Sequence, residues 1–207
     1  MRVDYMISIA DITKKIEEEQ IRNSELRFKN LHLSELAICG LKYRHSYDNR
    51  ITIPFKWLFE IGNAFEYALF RKMKSIDNSL ISQYPVYLSS EDINAVGHLD
   101  AYSVKHNVVY EFKASKSDSY MDIYLRQIKA YMIVGNISSG KLFKYNIYND
   151  KLSEFEVILD KSDEVDFNIN INAFLNNEYI KGIENSLCSF CENLNCPANK
   201  NIKGVFK

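Results

Sequence analysis

Two neighbouring stretches near the middle of the chain alternate apolar and polar residues, and both carry charged side chains within that alternation. The first stretch runs from Asn94 to Val104 and the second from Val108 to Ala114. Alternation with a period of two predicts strands, and the polar residues at 105–107 predict the turn of a hairpin. We therefore expect an antiparallel strand pair that presents charged groups at defined positions.

Three charged residues of this hairpin have a spacing that suits metal chemistry. Asp100 lies on the first strand, whereas Glu111 and Lys113 are two residues apart on the second, so their side chains share one face. Mg²⁺ prefers oxygen ligands and keeps several waters, so Asp100, Glu111 and the backbone carbonyl of Phe112 would suffice to hold it. Lys113 would position the attacking water and offset transition-state charge on a phosphodiester. The alternative is a surface hairpin with solvated charges.

The segment after the second strand has apolar residues three and four positions apart, which predicts an amphipathic helix over about 120–134. Asp118 or Ser119 is available as its N-cap. Gln127 and Tyr131 are four residues apart and therefore share a face. An ordinary amphipathic helix with one polar-tipped aromatic residue is the alternative interpretation.

The four cysteines lie towards the two ends of the chain. Cys39 stands alone, whereas Cys188, Cys191 and Cys196 form a C-x2-C-x4-C run followed by Pro197. So compact a run favours a shared metal centre, with Cys39 as the fourth thiolate, and zinc and a [4Fe-4S] cluster are both compatible with four thiolates. Disulfides are less attractive, because we expect an intracellular chain without a signal peptide, in which thiols stay reduced.

These motifs occur in the order found in a known nuclease group. G-x-x-D at 97–100, E-x-K at 111–113 and Q-x-x-x-Y at 127–131 are similar to the RecB-type branch of the PD-(D/E)XK superfamily. With the bracketing cysteines, residues at about 33–197 resemble the iron–sulfur RecB-like nucleases associated with CRISPR loci and their virus-encoded relatives. The resemblance implies an α/β fold with a restriction-endonuclease-like core, in which helices flank a mixed central β-sheet.

The resemblance also implies a DNA nuclease that requires Mg²⁺ or Mn²⁺. Asp100, Glu111, Lys113 and Gln127 would be its catalytic residues, and Gln127 and Tyr131 would contact the DNA strand. Of the two candidate centres it implies the [4Fe-4S] cluster, bound by the four cysteines and joining an early helix to the C-terminal loop. Single-stranded DNA would be the partner, with a second copy of the chain or other DNA-processing proteins as further candidates.

Two positions depart from the family pattern. The family has a histidine four residues after an upstream glycine, whereas here Gly62 is followed by Glu66. Because a carboxylate is a harder ligand than imidazole and suits Mg²⁺ better, Glu66 is a candidate additional ligand, directly or through water. A charged residue on the solvated side of a helix is the alternative. Leu99 stands where the superfamily name expects a proline.

Length and segment charge fit one nucleic-acid-binding domain. The 207 residues are enough to bury a sizeable core, and we expect a single domain over 1–207, with its core at about 54–160 and cluster-binding parts at about 33–47 and 183–198. The net charge is only −1, but residues 39–74 hold seven basic and three acidic side chains, and residues 101–150 hold seven and four. This distribution allows a local phosphate-binding face.

The remaining elements follow from periodicity and turn residues. Helices are predicted at about 10–29, 34–47, 54–74 and 166–179, and strands near 80–89, 141–148 and 153–159. No apolar run approaches the ~20 residues needed to cross a bilayer, so we expect a cytoplasmic protein, in the host cytoplasm if virus-encoded.

The predicted function is the metal-dependent hydrolysis of phosphodiester bonds in single-stranded DNA. The sequence leaves open whether the strand is cut from an end or internally. The alternative is a catalytically silent DNA-binding accessory protein of replication or recombination with the same fold.

Overall fold

A computed structural model describes residues 8–27, 31–49, 57–176, 184–194, 196 and 198–200. In chain order its elements are α1 (Ile9–Arg27), β1 (Leu31–His32), α2 (Leu33–Ile38), α3 (Gly40–Asp48), α4 (Trp57–Ile76), β2 (Leu80–Ser89), β3 (Asn94–Ser103), β4 (Val108–Ser115), α5 (Met121–Gly135), β5 (Ser139–Asn146), β6 (Lys151–Ile158), α6 (Lys161–Asn176) and a 3-10 helix (Ser186–Phe190). The predicted start of the third helix at 54 and the predicted end of the last helix at 179 lie outside the described residues.

The strands form one mixed sheet, as predicted. Its order is β1-β3-β4-β5-β6, and β2 pairs with β3. The hairpin of β3 and β4 is antiparallel, whereas β4 and β5 run parallel, because α5 crosses over between them. Asn107 closes the hairpin turn with a φ of 52°, a left-handed conformation that asparagine tolerates.

One edge of β3 is shared by two strands that leave a gap between them. β2 pairs with β3 along nearly its whole length, so β1 and β4 occupy the opposite edge. β1 pairs with Ala95 and Val96, and β4 pairs with residues 101–103. Residues 97–100 of β3 therefore lie between the two neighbours. This stretch contains Asp100, so the parting of β3 from β4 creates room for a site.

Helices cover both faces of the sheet. On one face α2, α5 and α6 bury an apolar core that includes Leu36, Leu99 and Ile128. On the other face α4 packs Phe65 and other apolar side chains against Phe112. None of the described helices combines the length and hydropathy that a bilayer crossing requires.

The helix predicted over about 34–47 is wrong as a single element, because the structure divides it at Cys39. Cys39 has extended backbone angles, φ −167° and ψ 110°. Buried Asn170 of α6 occupies the break: its Nδ2 donates to the carbonyl of Ala37 at 3.0 Å, and its Oδ1 accepts from the backbone N–H of Gly40 at 3.4 Å. A Cβ on Gly40 would lie 1.8 Å from the carbonyl oxygen of Asn170, so only glycine permits this approach of α3 to α6.

Two predicted helix starts also differ from the structure. α6 begins at Lys161, ahead of the predicted residue 166, because two carboxylates cap its N-terminus. The Asp160 carboxylate accepts from the backbone N–H of Ser162, and the Asp163 carboxylate accepts from the backbone N–H of Asp160. The predicted N-cap of α5 is wrong, since Tyr120 holds that position without a side-chain cap. Asp118 instead pairs with the buried ammonium of Lys144.

Candidate active site

Four of the predicted residues converge where β3 and β4 part. Asp100 comes from the gap in β3, Glu111 and Lys113 come from β4, and Glu66 comes from α4. The Nζ of Lys113 lies 2.5 Å from Oε1 of Glu111. Oδ2 of Asp100 accepts from the backbone N–H of Phe112 at 2.7 Å, which ties the two strands together where their ladder has ended.

Burial raises the pKa values of all three carboxyl groups of this cluster, and the charge of Asp100 adds to the effect at Glu66 and Glu111. Burial, and then the charge of Asp100, raise the pKa of Glu111 to about 8. Burial and Asp100 likewise raise the pKa of Glu66 to about 7, and burial raises the pKa of Asp100. Desolvation and like charge both disfavour ionised carboxylates, so a cation would be needed to keep all three ionised together.

Lys113 supplies one positive charge to this cluster. Burial lowers the pKa of its ammonium, but the carboxylates of Glu111 and Asp100 outweigh that effect and raise the pKa above its ordinary value. Lys113 therefore stays protonated at neutral pH. Its Nζ also lies 5.9 Å from the ring centre of Tyr124 on α5, within cation–π range.

The Q-x-x-x-Y residues of α5 support Glu111 through a chain of hydrogen bonds. Nε2 of Gln127 donates to Oε1 of Glu111 at 2.7 Å and to the hydroxyl of Tyr131 at 3.1 Å. Tyr131 is only 3% exposed, so it has little surface for a DNA strand to contact, and its position is that of a support for Gln127. Direct contact with DNA stays a prediction for both residues.

Gly97 of the G-x-x-D motif and Tyr131 form one packing unit. A Cβ on Gly97 would lie 2.5 Å from Cε1 of the Tyr131 ring and 3.1 Å from Leu33. The absence of a side chain at this position lets the ring lie against β3, and the hydroxyl then reaches Gln127. Position 97 therefore requires glycine because the ring of Tyr131, 34 residues later, occupies the space that a side chain would need.

The oxygen donors of this cluster suit a divalent cation, although no three carboxylates of the described residues are arranged to hold one. Oε2 of Glu111 is buried without a hydrogen-bond partner, although such an atom ordinarily has one. Glu66 and Lys113 line a cleft of about 890 Å³, which opens the cluster to the surface. Oxygen ligands in a partly open site are what Mg²⁺ and Mn²⁺ prefer. The Phe112 carbonyl stays a predicted ligand.

The structure brings the four cysteines around one small cavity. Cys39, Cys188, Cys191 and Cys196 form no disulfide, are buried, and line a cavity of about 10 Å³. Burial raises the pKa of the Cys39 thiol and of the Cys191 thiol. Across the described part of the chain, no group of three or more His, Cys, Asp or Glu residues has an arrangement that could hold a metal ion. The predicted cluster therefore stays a prediction.

Hydrogen bonds hold the cysteine loop against the early helices. Nδ2 of Asn185 donates to the carbonyl of Ile38 at 3.1 Å, and its Oδ1 accepts from the backbone of Leu187. Ser186 donates through its backbone and its hydroxyl to Asp122 in the first turn of α5. α5 therefore contacts the cysteine loop at its start and the carboxylate cluster one turn later.

Sequence reasoning missed three polar residues that organise these regions. Asn170 and Asn185 are isolated asparagines with no motif around them, so no sequence signal marked them. Lys144 is 2% exposed and stands beside Lys113 in the parallel register of β4 and β5. The alternation of β5 was the available signal, because it places Lys144 on the same inward face as Leu142 and so predicts a buried lysine.

No protein-family model matches the sequence, and no curated protein matches it significantly. Several solved structures share its fold. SSO0001 has a TM-score of 0.65 at 16% identity, with 91% of this chain and 97% of that chain covered. The alkaline exonuclease LHK-Exo of Laribacter hongkongensis, in complex with dAMP, has a TM-score of 0.57 at 10% identity, with 73% and 89% covered.

A phage-related exonuclease from Haemophilus somnus 129PT has a TM-score of 0.51 at 10% identity, with 66% of this chain and 78% of that chain covered. At these identities the likeness concerns the fold alone. The mixed sheet flanked by helices, predicted from the sequence, is therefore the fold of an alkaline exonuclease and of a phage-related exonuclease.

Proposed function

We propose that this protein is a metal-dependent deoxyribonuclease that hydrolyses phosphodiester bonds, with a preference for single-stranded DNA. One observation carries the proposal: Glu66, Asp100 and Glu111 converge with Lys113 at the gap between β3 and β4, and an oxygen of Glu111 is left without a partner. The exonuclease-like fold supports it.

Asp100 and Glu111 would hold a Mg²⁺ or Mn²⁺ ion, with Glu66 as a further ligand and the carbonyl of Phe112 completing the protein's share. When bound, the ion would polarise the phosphodiester and lower the pKa of a water. The hydrogen bond from the Phe112 N–H fixes the orientation of the Asp100 carboxylate before the substrate arrives.

Lys113 and Gln127 would act on either side of Glu111. The Lys113 ammonium, held in place by Glu111, would position the attacking water and offset the negative charge that develops on the phosphate. Gln127 holds the same carboxylate through its amide, and Tyr131 in turn accepts from that amide. Gln127 is thus a positioning residue that limits Glu111 to one orientation.

The test is a cleavage assay on labelled single strands with Mg²⁺ or Mn²⁺. Wild type should cut, and Asp100→Ala and Lys113→Ala should abolish cutting. Lys105→Ala, an exposed lysine in the turn of the same hairpin, is the matched control and should cut normally. Undiminished cutting by the Asp100 and Lys113 variants would refute the site. Tight binding of DNA without cleavage would instead favour an accessory binding protein.

A circular single strand distinguishes the two modes of cutting. Only an endonuclease opens a circle, whereas an exonuclease requires an end. A duplex of the same sequence, assayed beside the single strand, measures the strand preference. Slower cutting of the single strand than of the duplex would contradict that part of the proposal.

We also propose that the four thiols hold a structural [4Fe-4S] cluster. All four cysteines line one buried cavity, and neighbouring asparagines fix the backbone on both sides of it. Iron and sulfide analysis with visible absorption of anaerobically purified protein tests the centre. A colourless protein that contains zinc would replace the cluster by a zinc site and leave the nuclease proposal intact.

A further inference from the structure

The cleft extends well beyond the carboxylate cluster. Its lining includes Phe59 and Asn63 of α4, the first turn of α3, the connection between β4 and α5, and Tyr124 of α5. With a volume of about 890 Å³, the cleft is far larger than one nucleotide's phosphate and the ion beside it require.

Two lysines away from the carboxylate cluster line this cleft. Lys42 lies in the first turn of α3 and is half-buried, whereas Lys116 lies in the connection after β4 and is exposed. Neither ammonium forms an ion pair with a carboxylate of the described residues, in contrast to Lys129, Lys141 and Lys144. Their charges are therefore available to an anionic ligand, although Glu35 also lines the cleft and the Lys42 ammonium also acts on the Cys191 thiol of the neighbouring cavity.

We propose that one DNA strand leaves the carboxylate cluster through this cleft towards α3, with Lys116 and then Lys42 binding phosphates on one side of the scissile bond. Phe59, which is 40% exposed at the cleft wall, offers its ring to an unpaired base. The inference rests on the proposed function and adds to it the route of the strand and the residues that bind it.

The far end of this route adjoins the cysteine cavity. Cys39, Lys42 and Leu187 line both the cleft and that cavity. The position of Lys42 thus depends on the packing of α3 against the cysteine loop. A substitution in the cysteine loop should therefore raise KM for long strands more than it lowers kcat at the carboxylate cluster.

The test measures kcat and KM for single strands from a dinucleotide to a dodecanucleotide, in wild type, Lys42→Gln and Lys116→Gln. For wild type, KM should fall with length until the strand reaches α3. Each variant should raise KM about two- to fivefold on long strands, as expected for a partly exposed charge pair, and leave kcat and the shortest substrates unchanged. Phe59→Ala should raise KM for long strands roughly fivefold or more.

Two control variants and the salt dependence of binding separate loss of binding from loss of folding. Lys42→Arg keeps the charge and should restore the KM of wild type on long strands. Lys151→Gln, an exposed lysine at the start of β6 outside the cleft, should behave as wild type at every length. The slope of log affinity against log salt concentration should decrease in magnitude by about 0.7 for each phosphate that Lys42→Gln or Lys116→Gln no longer neutralises.

The possible results distinguish a failure of the route from a failure of the nuclease proposal. If the lysine variants have the KM of wild type at every strand length, neither residue lies on the route. If their KM rises as much on the dinucleotide as on long strands, the two lysines serve the chemistry or the fold instead. The same series of strand lengths is measured as Kd by fluorescence anisotropy. If Kd falls with strand length, Lys42→Gln removes that dependence and no strand is cleaved, the nuclease proposal is rejected and the route is kept. If Kd does not depend on strand length, the route is rejected.

Discussion

The carboxylate cluster and the cysteine cavity are built in different ways. The cluster takes its groups from α4 and two neighbouring strands, so strand register places Asp100 against Phe112 and Glu111 beside Lys113. The cavity joins segments nearly 150 residues apart through side-chain-to-backbone bonds, such as that from Asn185 to Ile38. We therefore expect changes in the cluster to affect activity first, and changes around the cavity to affect stability first.

Asp100→Asn should give the largest loss of activity, and it should do so without a loss of stability. The amide keeps an oxygen for the Phe112 N–H but removes one negative charge from three mutually repelling carboxylates. We expect cleavage to fall about 10²–10³-fold. Without divalent ions, the free energy of unfolding should rise by up to about 1 kcal/mol. Initial rates and urea unfolding in EDTA measure the two quantities, and a destabilised variant would contradict the repulsion.

Gly40→Ala should give the largest loss of stability. The added methyl would meet the backbone of Asn170, which cannot withdraw without moving α6. We expect the free energy of unfolding to fall by about 3 kcal/mol. Gly62→Ala in α4 is the control, because a Cβ there meets nothing within 4 Å, and it should raise stability by up to ~1 kcal/mol. Similar urea midpoints for the two variants would rule out the close approach of α3 to α6.

Asn185→Ala should weaken the cysteine loop by an intermediate amount. It removes the bond to Ile38 and the bond from Leu187, at a cost of about 2 kcal/mol. In a chain of this size that cost corresponds to a Tm lower by roughly 4–8 °C. Thermal unfolding measures it, and kcat on a dinucleotide should stay at the wild-type value. A lower kcat at an unchanged Tm would show that Asn185 serves the carboxylate cluster instead.

Tyr131→Phe should give the smallest effect, and on activity rather than stability. It removes the acceptor that helps orient Gln127, which costs about 1 kcal/mol, so kcat should fall roughly fivefold. Tyr102→Phe is the matched control, since its hydroxyl bonds to Asn107 at the far end of the hairpin and its removal should leave kcat unchanged. Equal rates for both variants would show that the Gln127 amide needs no support.

The strands were predictable because their signal is local. Alternation predicted the bounds of β3 and β4 to within a residue, and periodicity with turn residues predicted the observed bounds of β2. The pairing of Glu111 with Lys113 follows from the same periodicity. Side-chain contacts between distant elements left no such signal: the division at Cys39 depends on Asn170, and the burial of Tyr131 depends on Gly97. The start of α6 at Lys161, by contrast, was predictable, because Asp160 and Asp163 are residues typical of a helix N-terminus.

The double attachment of α5 limits how this chain can vary. Asp122 anchors its first turn to Ser186, and Gln127 anchors a later turn to Glu111. One residue inserted between the two anchors would rotate everything after it by about 100° and advance it by about 1.5 Å. Either Ser186 or Glu111 would then lose its partner. Variants of this chain should therefore tolerate length changes before Met121 or after Gly135, and keep the spacing from 122 to 127 fixed.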